Sequence, residues 1–243
     1  MKSRSPLFGL LAGLFLATGL VFSTTLFTRA WIKIREDQAI VVTGSARKAI
    51  RSDLIVWRGS FTAEAPDLLD AQRKLKADVA RVEQFLRARA VTNQTFGNIA
   101  IQEIRSTITA GEEVMQKRIG YRLTQTVEIR SPEVERIAAL DRETPALVEQ
   151  GVVFTVETPQ FIYTKAGEAK VEMLAEATGD ARARAEQIAS QGGRQVKHLQ
   201  SARMGVFQIT PLYSTQTSWE GLNDTTSPDK SLTAIVTATF SLN

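Results

Sequence analysis

The chain has 243 residues, 43% of them hydrophobic, with 30 Lys and Arg against 26 Asp and Glu. It has no cysteine and one histidine, His198, which excludes disulfides, thiol nucleophiles, thiolate metal sites and any two-histidine site within one chain. Five of the basic residues (Lys2, Arg4, Arg29, Lys33, Arg35) precede Glu36, the first acid, leaving 25 basic and 26 acidic side chains beyond them. The body is therefore near neutral, and no nucleic-acid partner is expected.

Ser5 to Thr28 carries no charge and has Lys or Arg on both sides. At about 1.5 Å per residue it is long enough for a bilayer core of about 30 Å. A cleaved signal peptide and a retained anchor share this pattern. The apolar run Leu7–Phe27 is long, the small-residue triplet Thr28-Arg29-Ala30 has Arg at its centre, and Trp31 sits where interfacial aromatics gather, which favours the anchor. The predicted organisation is an anchor with a basic flank over 1–35 and one domain over 36–243. The lipid bilayer is the expected partner of residues 7–27.

Gln38–Gly44 reads as a first strand and Ser52–Ala63 as a second, joined as a hairpin through Ser45–Arg51. Pro66, Asp67 and Asp70 open a helix that runs to about Ala90, with Leu68, Leu75, Val79, Val82 and Leu86 as its apolar stripe. Ile99–Ile108 is a third strand, 109–119 a connector with Gly111, and Tyr121–Arg130 a fourth strand. Ser131-Pro132 starts a helix over 133–150, broken near Pro145. Val152–Tyr163 is a fifth strand, with Pro159 implying an edge or bulge.

A long helix over about 165–191 presents Val171, Leu174, Ala175, Ala181, Ala185 and Ile188, and Gly192-Gly193 ends it. An extended segment over 197–212, a polar loop over 214–229 and a final strand over 232–242 complete the chain. The expected fold class is α+β. Mixed or antiparallel sheets carry long amphipathic helices packed on them, preceded by one transmembrane helix.

No phosphate loop, dinucleotide fingerprint, zincin helix, nucleophile elbow or calcium loop is present. No catalytic, cofactor-binding or metal-binding residue and no cofactor is assigned. His198 has no Ser, Asp or Glu pattern beside it and reads as a surface or half-buried side chain. The pairs Glu83–Arg87 and Asp180–Arg184 read as solvated faces with i,i+4 pairing. Trp57 reads as core, and Trp219 as an aromatic in a mobile loop. Asn93-Gln94-Thr95 and Asn223-Asp224-Thr225 match the glycosylation pattern, which matters only in a eukaryotic secretory route.

Several segments in order resemble the SIMPL domain family, which includes bacterial periplasmic immunogenic proteins. They are Ile40-Val41-Val42-Thr43-Gly44 followed by Ser45-Ala46 and Asp53, the alanine-rich helix from Asp180 to Ala189, and the closing strand Leu232 to Phe240. Ala46 and Arg51-Ser52-Asp53 stand where the family usually has a glycine and a Pro-Asp, and Gly192-Gly193 compress its usual glycine step. The resemblance implies a periplasmic or envelope location, members that assemble into rings, links to oxidative-stress tolerance, and no agreed catalytic residues.

The expected function is that of a single-pass inner-membrane protein whose soluble domain lies in the periplasm, the alternative location being secretion to the periplasm after cleavage. There it would be a non-enzymatic binding or assembly module in envelope maintenance or oxidative-stress defence, with a homo-oligomer or an envelope protein as partner. One alternative is an accessory subunit of an envelope transport or secretion complex, with Gly9, Gly13 and Ala17 lining the helix contact. The other is a cofactor-free periplasmic hydrolase that uses paired carboxylates.

Overall fold

The computed structural model describes residues 6–36, 39–110 and 113–243. These form helices and strands in the order α1 (Pro6–Glu36), β1 (Ala39–Arg51), β2 (Leu54–Ala65), α2 (Leu68–Ala88), β3 (Gln94–Phe96), β4 (Ala100–Ala110) and β5 (Glu113–Ser131). Then follow α3 (Val134–Glu143), α4 (Pro145–Glu149), β6 (Val153–Val156), β7 (Gln160–Ile162), α5 (Ala166–Gln191), β8 (Val196–Met204), β9 (Gln208–Pro211), β10 (Leu222–Asn223) and β11 (Asp229–Leu242). The class is α+β, as the sequence predicts. The chain divides into two compact units: residues 1–46, 172–206 and 234–243, and residues 47–171 and 207–233.

The second unit is built on a six-stranded antiparallel sheet. β5 pairs with β2 along Tyr121–Ser131, and on its other side β4 and β3 follow one another. β6 and β7 pair end to end on the far side of β2, with Pro159 between them, which is the edge break its missing N–H requires. Apolar residues alternate inward along β2, so Ile55, Trp57 and Phe61 are fully buried, and α2 packs over them through Leu75, Val82, Phe85 and Leu86. The stripe on α2 is thus a core face and not an oligomer seam, although Leu68 is exposed. Trp57 keeps its indole N–H satisfied by donating to Asp141 Oδ1.

Within the first unit, β11 pairs antiparallel with β8 from Val236↔Met204 to Leu242↔Val196. α5 lies close against β1 at Gly44. A Cβ on Gly44 would stand 2.2 Å from the Ala177 carbonyl oxygen, so only glycine fits. The buried positions of α5 recur every four residues, at Met173, Ala177, Ala181, Ala185 and Ala189. Ala181 and Ala185 lie where the expected stripe puts them, and the stripe is corrected at Val171, Ala175 and Ile188. Val171 and Ile188 are exposed, because close helix–strand contact selects the small side chains and turns the larger ones outward.

Other departures have local causes. The hairpin expected through Ser45–Arg51 does not form: β1 continues to Arg51 and belongs to a different sheet from β2, the chain turning at Ser52-Asp53. There Asp53 accepts from both the N–H and the hydroxyl of Thr164, at 2.7 and 2.8 Å. Burial opposes its charge, but these bonds win, and the Asp53 carboxyl lies below the usual aspartate range.

The connector expected over 109–119 is instead a long antiparallel hairpin of β4 and β5, whose polar side chains mask a strand exposed on both faces. The segment over 197–212 breaks at Gly205 into β8 and β9. Gln38 and Gly111 lie outside the described residues.

α1 covers the uncharged N-terminal run. Among the described residues, however, no helix is long and apolar enough to cross a membrane, and the crossing expected for residues 7–27 is not shown. Hydroxyl side chains at Thr18, Ser23, Thr24, Thr25 and Thr28 dilute the second half of the run. Lys2 and Arg4, on which its basic start rests, lie outside the described residues.

Candidate functional site

The helical period of α2 carries its inward face through Ala71, Leu75, Asp78, Val82 and Phe85. A carboxylate therefore occupies a core position, 6% exposed. Asp78 lines a cleft of about 540 Å³ whose other walls are Thr62, Ala63 and Glu64 of β2, Lys74, Ala77 and Arg81 of α2, and Gln150, Gly151 and Val153. Gln150 and Gly151 come from the turn after α4, and Val153 opens β6. Gly151 has φ of +83°, the left-handed conformation that lets the chain leave α4 and enter β6 at once.

Charge in the cleft is arranged asymmetrically. Arg81 Nη1 donates to Asp78 Oδ1 at 2.7 Å. Burial nevertheless pushes the Asp78 carboxyl above its usual range, with the charges of Arg81 and Lys74 only partly opposing. Lys74 Nζ donates to the Glu64 carbonyl oxygen at 3.1 Å. The Glu64 carboxylate is held by Arg122 Nε at 2.5 Å. The two acids of the cleft are thus tied to different arginines and do not share a proton. Among the described residues, no cluster of three or more His, Cys, Asp or Glu could hold a metal ion.

A second buried charge has a different character. Lys230 is 1% exposed, and its ammonium donates to the carbonyl oxygens of Phe161 and Asp224 and lies 3.6 Å from the Asp224 carboxylate. Burial lowers the Lys230 pKa, with Asp224 opposing. Burial also acts against the charge of Asp224, but the Thr226 N–H and hydroxyl, Lys230 and Ser227 hold its carboxyl below the usual range. This pair clamps the polar loop before β11, which the sequence reads as mobile. It has its partners already and offers nothing to a ligand.

The residues singled out in the sequence fall elsewhere. His198 is exposed on β8, where its backbone N–H donates to Ser241 Oγ; among the described residues its imidazole makes no hydrogen bond. Glu83 and Arg87 pair at 3.4 Å on the exposed side of α2. Asp180 does more than pair with Arg184 at 2.9 Å. It accepts the Ser45 N–H at 2.8 Å, and this bond, then Arg184, holds its carboxyl below the usual range. Trp219 is 84% exposed. Asn93 donates to the Arg130 carbonyl oxygen. Among the described residues nothing lies within 4 Å of a Cβ placed on Gly13, Ala17 is exposed, and the surroundings of Gly9 lie outside what is described. Asp78 escapes the sequence reading because Val79 competes with it for the inward position. The signal is the two-turn spacing between Leu75 and Val82, whose intervening inward position falls at 78 or 79.

Two further surfaces are open. Leu10, Leu14, Phe15, Leu16, Leu20, Phe22 and Phe27 of α1 are all more than half exposed. The hydroxyls of Thr18, Thr24, Thr25 and Thr28 donate to helix carbonyls three or four residues earlier, at 2.6–2.9 Å. β4 pairs only with β5 among the described strands, and Ile101, Met115 and Ile119 of this hairpin are exposed, Ile119 at a register shift.

The model of the SIMPL family, described as protein of unknown function (DUF541), matches residues 40–240. No curated protein matches the chain.

Proposed function

We propose, from the premise that this chain belongs to the SIMPL family, that it is a membrane-tethered binding and assembly module of the bacterial envelope. The observation that carries the tether is the apolar surface exposed around α1 together with its self-bonded threonines. Seven large apolar side chains in water would be strongly unfavourable, at about 25 cal/mol for each Å² left uncovered. Threonine hydroxyls turned back onto their own helix are already satisfied and lower the cost of meeting hydrocarbon. At about 1.5 Å per residue, the 31 residues of α1 extend about 46 Å, enough for a bilayer with its headgroups.

Assembly is supported by the β4 edge. Among the described strands the β4 edge is unpaired, and with Ile101 of β4 and Met115 and Ile119 of β5 exposed the hairpin is a surface on which a second chain can add. A role in envelope maintenance or oxidative-stress defence is supported by the family resemblance.

Alkaline extraction of membranes from cells making the full chain tests the tether. The wild type stays in the pellet, and the double variant Leu14→Lys, Leu20→Lys moves to the supernatant. Release of the intact wild-type chain by alkali would remove the proposal, and intact-mass measurement shows whether cleavage has removed α1. For assembly, light scattering after size exclusion is expected to give a mass above the monomer. A strict monomer at high concentration, with no crosslinked partner in membranes, rejects that half.

A further inference from the structure

We infer that the pocket framed by β7, the start of α5, β9 and β10 binds a small monocarboxylate, its anionic end on the Lys170 ammonium and its apolar body among the lining aromatics. The pocket lies wholly within the second unit and has a volume of about 190 Å³. Its apolar lining is Phe161, Ile162, Ala166, Phe207, Ile209 and Leu222. Backbone bonds fix these walls before a ligand arrives. The Phe161 N–H donates to the Thr225 carbonyl oxygen at 2.7 Å, and the Asp224 N–H to that of Ile209 at 2.9 Å. From below, the buried Lys230 ammonium donates to the Phe161 carbonyl oxygen at 2.9 Å. Walls held in this way have little freedom left to lose on binding.

Charge sets the sign of the ligand. The charged side chains of the lining are Lys170 and Asp224. The Asp224 carboxylate is already engaged by Thr226, Ser227 and Lys230. Lys170 forms no ion pair among the described residues, and its ammonium lies 5.5 Å from the centre of the Phe207 ring. Seating on a ring face spends none of its three protons on an acceptor oxygen, so all remain for an anion. The side chains of Tyr163, Asn223 and Thr225 also make no hydrogen bond among the described residues, which gives a second carboxylate oxygen its donors within the same lining. Volume sets the size. At roughly 30 Å³ for each water-sized group the pocket holds about six heavy atoms. That is one six-membered ring or a short aliphatic chain, with the carboxylate on the Lys170 side.

The test uses the full chain in detergent micelles with isoleucine methyl groups labelled for NMR. Ile162 and Ile209 report on the pocket, and the exposed Ile101 and Ile188 serve as controls. Benzoate is expected to give a saturable shift at Ile162 and Ile209 and none at the controls. Benzyl alcohol, which keeps the ring without the charge, is expected to bind at least fivefold more weakly, and benzylamine more weakly still. Lys170 is exposed, so Lys170→Gln leaves the walls in place. It should lower the affinity for benzoate to that for benzyl alcohol and leave benzyl alcohol itself unchanged. No saturable shift with benzoate, shifts of equal size at the controls, or benzoate affinity unmoved by Lys170→Gln overturns the proposal.

Discussion

Asp78 is the residue at which stability and the cleft pull apart. Its raised pKa means that the folded state holds the proton more tightly than the unfolded chain does. Below the ordinary aspartate value of 3.8 both states are protonated and the residue is neutral for folding. As pH rises through the folded pKa, the ionised carboxylate becomes a cost that persists at neutral pH. Asp78→Asn is therefore expected to melt with the wild type in acid and at or above it at pH 7, read by circular dichroism across the range. A variant that loses stability relative to wild type as pH rises would contradict the burial argument. Lys230 predicts the opposite sign of effect. Removing its ammonium in Lys230→Met takes the counter-charge from Asp224 and the donor from two carbonyl oxygens in a buried site, and a loss of about 3 kcal/mol is expected in urea unfolding. A near-neutral result would mean that water enters to replace it.

At the scale of elements, Gly44 and the alanines of α5 allow helix and strand backbones to approach closely. Gly44→Ala would place a methyl against the Ala177 carbonyl and the Ala181 backbone, neither of which can swing aside, and about 1–3 kcal/mol should be lost. Unchanged stability would show that α5 shifts freely. Much of this level is legible in the sequence. The break at Pro145, the helix ends at Gly151 and Gly192-Gly193, the strands β2 and β11, and the part of β5 from Tyr121 onward lie close to where their patterns put them.

What the chain hides has physical reasons. The β4–β5 hairpin is wet on both faces, so it lacks the alternation that marks a half-buried strand. The phase of α5 is obscured because alanine is apolar wherever it stands, and exposed Val171 and Ile188 draw the eye to the wrong side. Asp78 is invisible to a hydrophobic stripe because it sits within one.

For the molecule as a whole, basic charge and apolar length concentrate at the N-terminal end while the remainder is near neutral. If α1 holds the chain to lipid, raising salt should leave membrane retention unchanged, since burial of apolar surface is not screened, whereas an electrostatic association would be released. Sedimentation in high salt distinguishes the two. The alanine seam of α5 has a last implication. Alanine has no rotamer freedom to lose on docking and little area to hide, so this contact is nearly as easy to undo as to make. The core around Trp57 and Phe61 has far more to lose. Amide protons of α5 should accordingly trade with deuterium sooner than those of β2, making the helix a clasp that loosens while the sheet beneath α2 stays shut.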